Sequence, residues 1–267
     1  MHKILIATDS FDQVNGVSTT YRNILKHSRK KTFVVHPGLF KWTNFSVYPE
    51  VQFCTEPLKA YKKIKEIAPT HIHIGTEGPI GLAARIYCKL NKIPYTTGYH
   101  TKFPEYLWKL LRIPKFLTYT YLKVFHNDSK AILVPSKSCQ EELTKKGFNH
   151  VKVWTRGVAK NLISHKPFKK SESPKIIYVG RVSKEKNLEP LCELQNKFEI
   201  TIVGEGPILD KLKANYPRIN FTGYRFGHDL ADTYKEHDVF CFPSKTDTFG
   251  IVMIEALANG LPVAAYR

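Results

Sequence analysis

Short runs of β-branched and aliphatic residues alternate with longer stretches of helical period along nearly all of this 267-residue chain, and that alternation is the strongest limit on its fold. Strands that each need a helix to cross back over the sheet build parallel α/β layers. The first half reads as strands over 3–7, 32–36, 71–74, 95–99 and 131–134, with helices over 18–30, 57–67, 79–90 and 138–146. A polar, basic stretch with two prolines, NLISHKPFKKSESP at 161–174, then reads as a linker. Beyond it a second series begins, with strands over 175–179, 199–203, 219–222, 239–242 and 262–265 and helices over 187–197, 207–215, 230–236 and 249–258. The expectation is α/β architecture in two doubly wound, Rossmann-like domains, 1–160 and 175–267. Such a half usually takes ~150 residues, so the second is expected to be short by a strand or two and a covering helix.

Glu255 interrupts an otherwise apolar helix, IVMIEALA at 251–258. An ionised carboxylate among such neighbours loses hydration unless something polar meets it, and a hydroxyl-bearing ligand would do so. The alternative is a Glu on the solvent edge of the helix. Upstream, Asp247 precedes a helix start containing Phe249, Gly250 and Ile251, whose unpaired N–H groups favour an anion, with Gly250 allowing close approach. Taken alone, Asp247 is equally readable as an N-cap. A second cluster, GRVSKEKN at 180–187, follows a strand; Arg181 and Lys186 then sit on the loop at the end of the sheet where doubly wound folds bind ligands. Two cations there suit a diphosphate, Arg through forked hydrogen bonds and Lys as a point charge; ordinary surface cations are the alternative. The run Gly204-Glu205-Gly206-Pro207 imitates the opening of a dinucleotide fingerprint, but Leu209 stands where the third glycine belongs, which leaves a dehydrogenase with little support.

Taken together, these residues resemble glycosyltransferase family 4, retaining enzymes of the GT-B fold. The matching segments are Val14-Asn15-Gly16-Val17-Ser18, Tyr99-His100-Thr101 with Phe103-Pro104-Glu105-Tyr106, Gly180-Arg181 to Lys186-Asn187, Gly204-Glu205-Gly206-Pro207, and Ser244-Lys245-Thr246-Asp247-Thr248-Phe249-Gly250 through Glu255 to Asn259-Gly260-Leu261-Pro262-Val263. The resemblance implies that Glu255 accepts hydrogen bonds from ribose hydroxyls and that Asp247 holds hydroxyls of the donor sugar. It further implies that Arg181 and Lys186 neutralise the departing diphosphate, aided by backbone donors at Phe249, Gly250 and Ile251. Tyr224 would border the base, Gly16 would let its loop approach phosphate or acceptor, and His100 would face the donor sugar. A tight-turn glycine and a satisfied histidine are the alternatives for the last two. The donor is then a nucleotide diphosphate sugar, with no metal or other cofactor expected. The family more often carries Glu where this chain has Asp247, a shorter arm that bears on donor choice.

Charge is uneven. Residues 1–160 hold 26 Lys and Arg against 10 Asp and Glu, and residues 161–267 hold 15 against 13. Residues 102–126, KFPEYLWKLLRIPKFLTYTYLKVFH, interleave aromatic and aliphatic side chains with Lys102, Lys109, Arg112, Lys115 and Lys123, and Pro114 divides the run. Such a segment suits an anionic membrane surface and a lipid-linked or saccharide acceptor; an amphipathic core helix with ordinary surface lysines is the alternative. No run approaches the ~18 apolar residues of a membrane span, and the apolar part of MHKILIATDS is short for a secretory signal, so a cytoplasmic enzyme, peripheral at most, is expected. The five cysteines, Cys54, Cys88, Cys139, Cys192 and Cys241, are odd in number and form no C-x-x-C pair, which reads as buried free thiols. Competing readings are a noncatalytic nucleotide-sugar-binding remnant, and a nucleic-acid binder favoured by charge alone, for which no recognition motif or aromatic single-strand platform is found.

Overall fold

A strand in the middle of a parallel sheet is covered on both faces and must be apolar at every position. Ile176–Val179 and Ile200–Val203 meet that demand but for Thr201, with all eight residues buried, whereas Asn220–Gly223 and Val263–Ala265, with polar or small residues, are only partly buried. Burial therefore already separates the central strands of the second sheet from its edges.

A computed structural model of the chain describes residues 3–45, 48–163, 171–245 and 247–266. The chain divides into two compact units, Met1–Arg156 and Gly157–Arg267. Part of the expected linker, residues 164–170, lies outside the described residues.

In the first unit the order is β1 (Ile4–Ala7), α1 (Gly16–His27), β2 (Thr32–Val35), β3 (Trp42–Phe45), β4 (Tyr48–Cys54), α2 (Pro57–Ile67), β5 (His71–Ile74), α3 (Pro79–Asn91), β6 (Tyr95–Gly98), α4 (Phe103–Leu111), α5 (Lys115–His126), β7 (Ile132–Val134), α6 (Lys137–Lys145) and β8 (Val151–Val153). Six strands form one parallel sheet in the order β2-β1-β5-β6-β7-β8, and β3 and β4 pair as an antiparallel hairpin. Its core gathers Leu5, Ile72, Ile74, Ile80 and Ala84.

The second unit runs β9 (Ile176–Val179), α7 (Glu189–Cys192), β10 (Ile200–Val203), α8 (Leu209–Asn215), β11 (Asn220–Gly223), α9 (Gly227–Lys235), β12 (Val239–Phe242), α10 (Ile251–Ala258) and β13 (Val263–Ala265). Its five parallel strands lie in the order β11-β10-β9-β12-β13. The direction of winding reverses between β9 and β12, and ligands of doubly wound sheets bind beyond the carboxyl ends of strands at such a reversal. In the first unit the corresponding reversal falls between β1 and β5.

The expected doubly wound α/β class is what the structure has, with three departures in detail. The hairpin β3–β4 and the strand β8 were not anticipated. The helix expected over 187–197 breaks: Asn187 is left-handed (φ 55°), and only a short α7 and a 3₁₀ turn, Glu193–Asn196, follow. Asn tolerates that conformation because its short polar side chain bonds locally, and the Asn187 amide donates to the Pro243 carbonyl at 3.2 Å. The cysteines are free thiols as expected, four buried and Cys241 half-buried, and burial pushes the Cys88 and Cys192 thiols up to about 12. No helix among the described residues is long and apolar enough to cross a membrane.

Candidate functional site

The loop after β9 is shaped by close backbone packing. Gly180 has φ 151°, and the Tyr178 hydroxyl turns back to donate to the Arg181 carbonyl at 2.9 Å. A Cβ on Gly204 would collide with the Gly180 carbonyl and one on Gly206 with the Val182 carbonyl. The glycines after β10 are therefore spacers that let two loop backbones touch, and they need no dinucleotide to explain them. Val182 N–H donates to the Glu205 carbonyl at 2.8 Å and Ile208 N–H to that of Val182 at 3.3 Å, which ties the loops together.

On this platform stand the expected cations. Lys186 ends a 3₁₀ turn, Lys184–Lys186, and its Nζ reaches Asp247 Oδ1 at 2.6 Å across the β9/β12 reversal. Both side chains are largely buried, 15% and 23% exposed, so the pair is shielded from bulk water. The second carboxylate oxygen of Asp247 is buried and meets no hydrogen-bond partner among the described residues. Asp247 is not the N-cap of the following helix: that position belongs to Gly250 (φ 69°), which offers no capping side chain. The first-turn N–H groups at Ile251 and Val252 have no acceptor inside the helix. Phe249, half-buried, precedes them. Arg181 shares the loop with Lys186 and pairs with Glu185 at 3.6 Å, while the Ser183 hydroxyl donates to the same Glu185 oxygen at 2.6 Å. Neither Ser183 nor Glu185 was singled out from the sequence.

Glu255 lies one turn into α10 and is 7% exposed, which removes the solvent-edge alternative. Its carboxylate accepts from the Tyr234 hydroxyl of α9 at 3.4 Å. Burial pushes its pKa up from 4.5 to about 7, against a smaller lowering by that hydrogen bond. Tyr234, itself fully buried, is a site partner that no motif announced. Tyr224 follows β11 and is 45% exposed, stacked on Phe226 with ring centroids 5.8 Å apart.

The remaining expected residues belong to the first unit. Gly16 is the first residue of α1, and the Asn15 side chain caps that helix by accepting from Val17 and Ser18 N–H. His100 follows β6; its Nδ1 meets Arg156 at 2.7 Å and its Nε2 meets the Tyr21 hydroxyl at 2.7 Å. Burial, then the Arg156 charge, holds its pKa well below the usual range. The structure thus brings Lys186 directly onto Asp247, keeps Arg181 on the same loop, and turns Glu255 toward Tyr234. Among the described residues no group of three or more His, Cys, Asp or Glu is arranged to hold a metal ion.

Comparison with known proteins bears directly on this arrangement. The family model described as Glycosyltransferase Family 4 matches residues 13–161, more than half of the chain. The chain belongs to glycosyltransferase family 4. A second family model, Glycosyl transferases group 1, matches residues 173–267. Among relatives, a sulfoquinovosyl transferase of Arabidopsis thaliana is 32% identical over 76% of this chain, which spans 44% of that protein's length. A GDP-mannose-dependent alpha-mannosyltransferase of Mycobacterium tuberculosis is 26% identical over 98% of the chain and 78% of its own length. An alpha-monoglucosyldiacylglycerol synthase of Streptococcus pneumoniae is 26% identical over 99% and 71%. The solved sucrose-phosphate synthase of Thermosynechococcus elongatus superposes with a TM-score of 0.72 at 18% identity, covering 99% of this chain and 81% of its own, a likeness of GT-B fold.

Proposed function

We propose that this family member transfers a hexose, mannose first among candidates, from a nucleotide diphosphate sugar to a lipid-linked or saccharide acceptor with retention at the anomeric carbon. The observation that carries the proposal is the Lys186–Asp247 pair, 2.6 Å apart at the sheet reversal, with Arg181 on the same loop. In the free protein each member of the pair satisfies the other. A donor would divide them: the diphosphate takes the Lys186 ammonium and the Arg181 guanidinium, and sugar hydroxyls donate to Asp247, whose second oxygen already awaits a donor. The backbone N–H groups around the start of α10, at Phe249, Gly250 and Ile251, would supply donors to the same anion. Glu255 would receive the ribose hydroxyls as an ionised acceptor, and the exposed Tyr224 ring would cover the base. No metal ion is called on, because fixed cations carry the leaving-group charge. Retention and the mannosyl choice rest on the family resemblance and on the mannosyltransferase relatives.

A lipid acceptor is supported by the surface of α3 and α5. Leu82, Ile86 and Leu90 on the first and Phe116, Leu117 and Val124 on the second are exposed, beside Lys89, Lys115 and Lys123. Arg85 fastens the two helices, donating to the carbonyls of Phe125 at 3.0 Å and Val124 at 2.6 Å. Exposed apolar side chains interspersed with lysines, of which Lys89 pairs with Asp128 and Lys115 with Glu105, suit peripheral attachment to an anionic leaflet.

Calorimetric titration of the full chain with GDP-mannose and UDP-glucose, followed by assay of released nucleoside diphosphate with diacylglycerol-containing vesicles or oligosaccharides, tests the proposal. Binding with acceptor-dependent release is expected. Failure of every sugar nucleotide to bind, or binding unaltered in Glu255→Ala, would overturn it.

A further inference from the structure

The first unit contains a buried chain of polar side chains that no step of the proposed transfer uses. Arg156 Nη2 meets His100 Nδ1 at 2.7 Å; His100 Nε2 meets the Tyr21 hydroxyl at 2.7 Å; the same hydroxyl meets His73 Nε2 at 2.9 Å; and His73 Nδ1 meets Thr96 Oγ1 at 2.9 Å. A guanidinium can only donate, so the direction of every link is set from one end. His100 Nδ1 must accept, which leaves the proton of the neutral ring on Nε2. That proton goes to the Tyr21 oxygen. Tyr21 has one proton of its own and gives it to His73 Nε2, so His73 carries its proton on Nδ1 and donates to Thr96. The two histidines are thereby fixed in opposite tautomers.

The surroundings are built to hold this order. A Cβ on Gly98 would strike His100 Nε2 and one on Gly75 would strike the Tyr21 ring. Trp154 packs edge-on to His73 at 5.7 Å, and the Arg156 guanidinium lies 4.4 Å over the Trp154 ring while donating to the Trp154 carbonyl at 3.0 Å. Among titratable groups, Arg156, His73 and His126 act on His100, Arg156 and Glu77 act on Tyr21, and His71, whose Nε2 lies 3.4 Å from the same Thr96 oxygen, and Arg156 act on His73. The two nearest His100 in the hydrogen-bond chain, Arg156 and Tyr21, offer it no negative charge.

We propose that Arg156 is a positioning residue that locks His100 as the neutral Nε2–H tautomer and so fixes the polarity of the whole Arg156–His100–Tyr21–His73–Thr96 chain. Protonating His100 would remove the lone pair that receives Arg156 and set two cations 2.7 Å apart. His100 is therefore barred from general acid–base duty at neutral pH and serves as a fixed dipole. Its consequence for turnover rests on the glycosyl-transfer proposal; the tautomer itself does not.

Imidazole ¹⁵N–¹H correlation spectra of the full chain, assigned with His100→Asn and His73→Asn, decide the matter. The expected wild-type pattern is Nε2–H for His100, Nδ1–H for His73, and no titration of either from about pH 5.5 to 8. In Arg156→Leu, His100 should lose the fixed signature, populating the second tautomer or taking up a proton, and Arg156→Lys should restore it. An Nδ1–H or titrating His100 in the wild type, or an unchanged spectrum in Arg156→Leu, would overturn the inference even if a variant failed to fold. Spectral failure would leave sugar-nucleotide binding untouched, and failure of binding would leave the spectra as expected.

Discussion

The two sheets finish their strands in opposite ways. Toward the carboxyl ends of the first, polar side chains close on one another: His73 and His100 are neutral, joined through Tyr21 and anchored by Arg156. Beyond those of the second, charges are held in pairs, Lys186 on Asp247 and Arg181 beside Glu185, which the proposed donor would take apart. A closed network specifies geometry and resists change in protonation, whereas an ion pair with a spare carboxylate oxygen invites substitution. The same doubly wound architecture thus carries a closed polar network in one unit and a largely buried ion pair in the other.

The largest expected effect falls on the exchangeable side. Lys186→Ala removes a preorganised cation and strands Asp247, and should lower kcat about 10²–10³-fold in a donor-turnover assay while the fold, followed by circular dichroism, survives. Next is Glu255, where the sign follows from its raised pKa. The folded protein binds a proton more tightly than the unfolded chain, so this contribution to stability is present below about pH 4.5 and is lost as pH rises through about 7. The cost of ionisation corresponds to roughly 3 kcal/mol, and urea unfolding of Glu255→Gln should show a gain over wild type of that order at pH 8 and little at pH 4. A flat difference across that range would remove the buried carboxylate from the comparison. On the closed side, Tyr21→Phe leaves His73 and His100 each short of a partner and should cost about 2 kcal/mol in unfolding experiments, with no loss of sugar-nucleotide affinity. Smallest is Arg225→Ala, which breaks an exposed i, i+4 pair with Asp229 and should move stability by less than about 0.5 kcal/mol.

Much of the second unit was legible because its signals are local. Short runs such as IIYV and ITIV mark central strands, and the helix expected over 249–258 is there, beginning two residues later, at Ile251. Asp247 was ambiguous in the sequence, since an N-cap and a partner for a lysine 61 residues away look alike until the strand order is known. Asn187 concealed a left-handed residue inside a segment of helical composition. The network in the first unit was illegible for a stronger reason: Tyr21, His73, His100 and Arg156 share no motif and meet only through the sheet. One local hint existed in HIHI at 71–74, where Ile72 and Ile74 are wholly buried and His73, on the opposite face, is 9% exposed. A histidine facing inward from a parallel strand asks for buried partners. The hairpin β3–β4 is paired antiparallel beside an otherwise parallel fold, which a pattern of alternating strand and helix does not predict.

The glycines at 204 and 206 have a consequence for how this protein can diversify. With only hydrogen atoms between them and the backbone of Gly180 and Val182, the two loops behave as one slab, and a single added methyl would shift the carrier of Arg181. Inherited variation is thereby funnelled away from the loop that carries Arg181 and Lys186. Under the proposed function, new preferences for nucleotide or sugar would arise instead at positions such as Tyr224 and Phe226, which stand open to solvent and can be exchanged without disturbing what lies beneath.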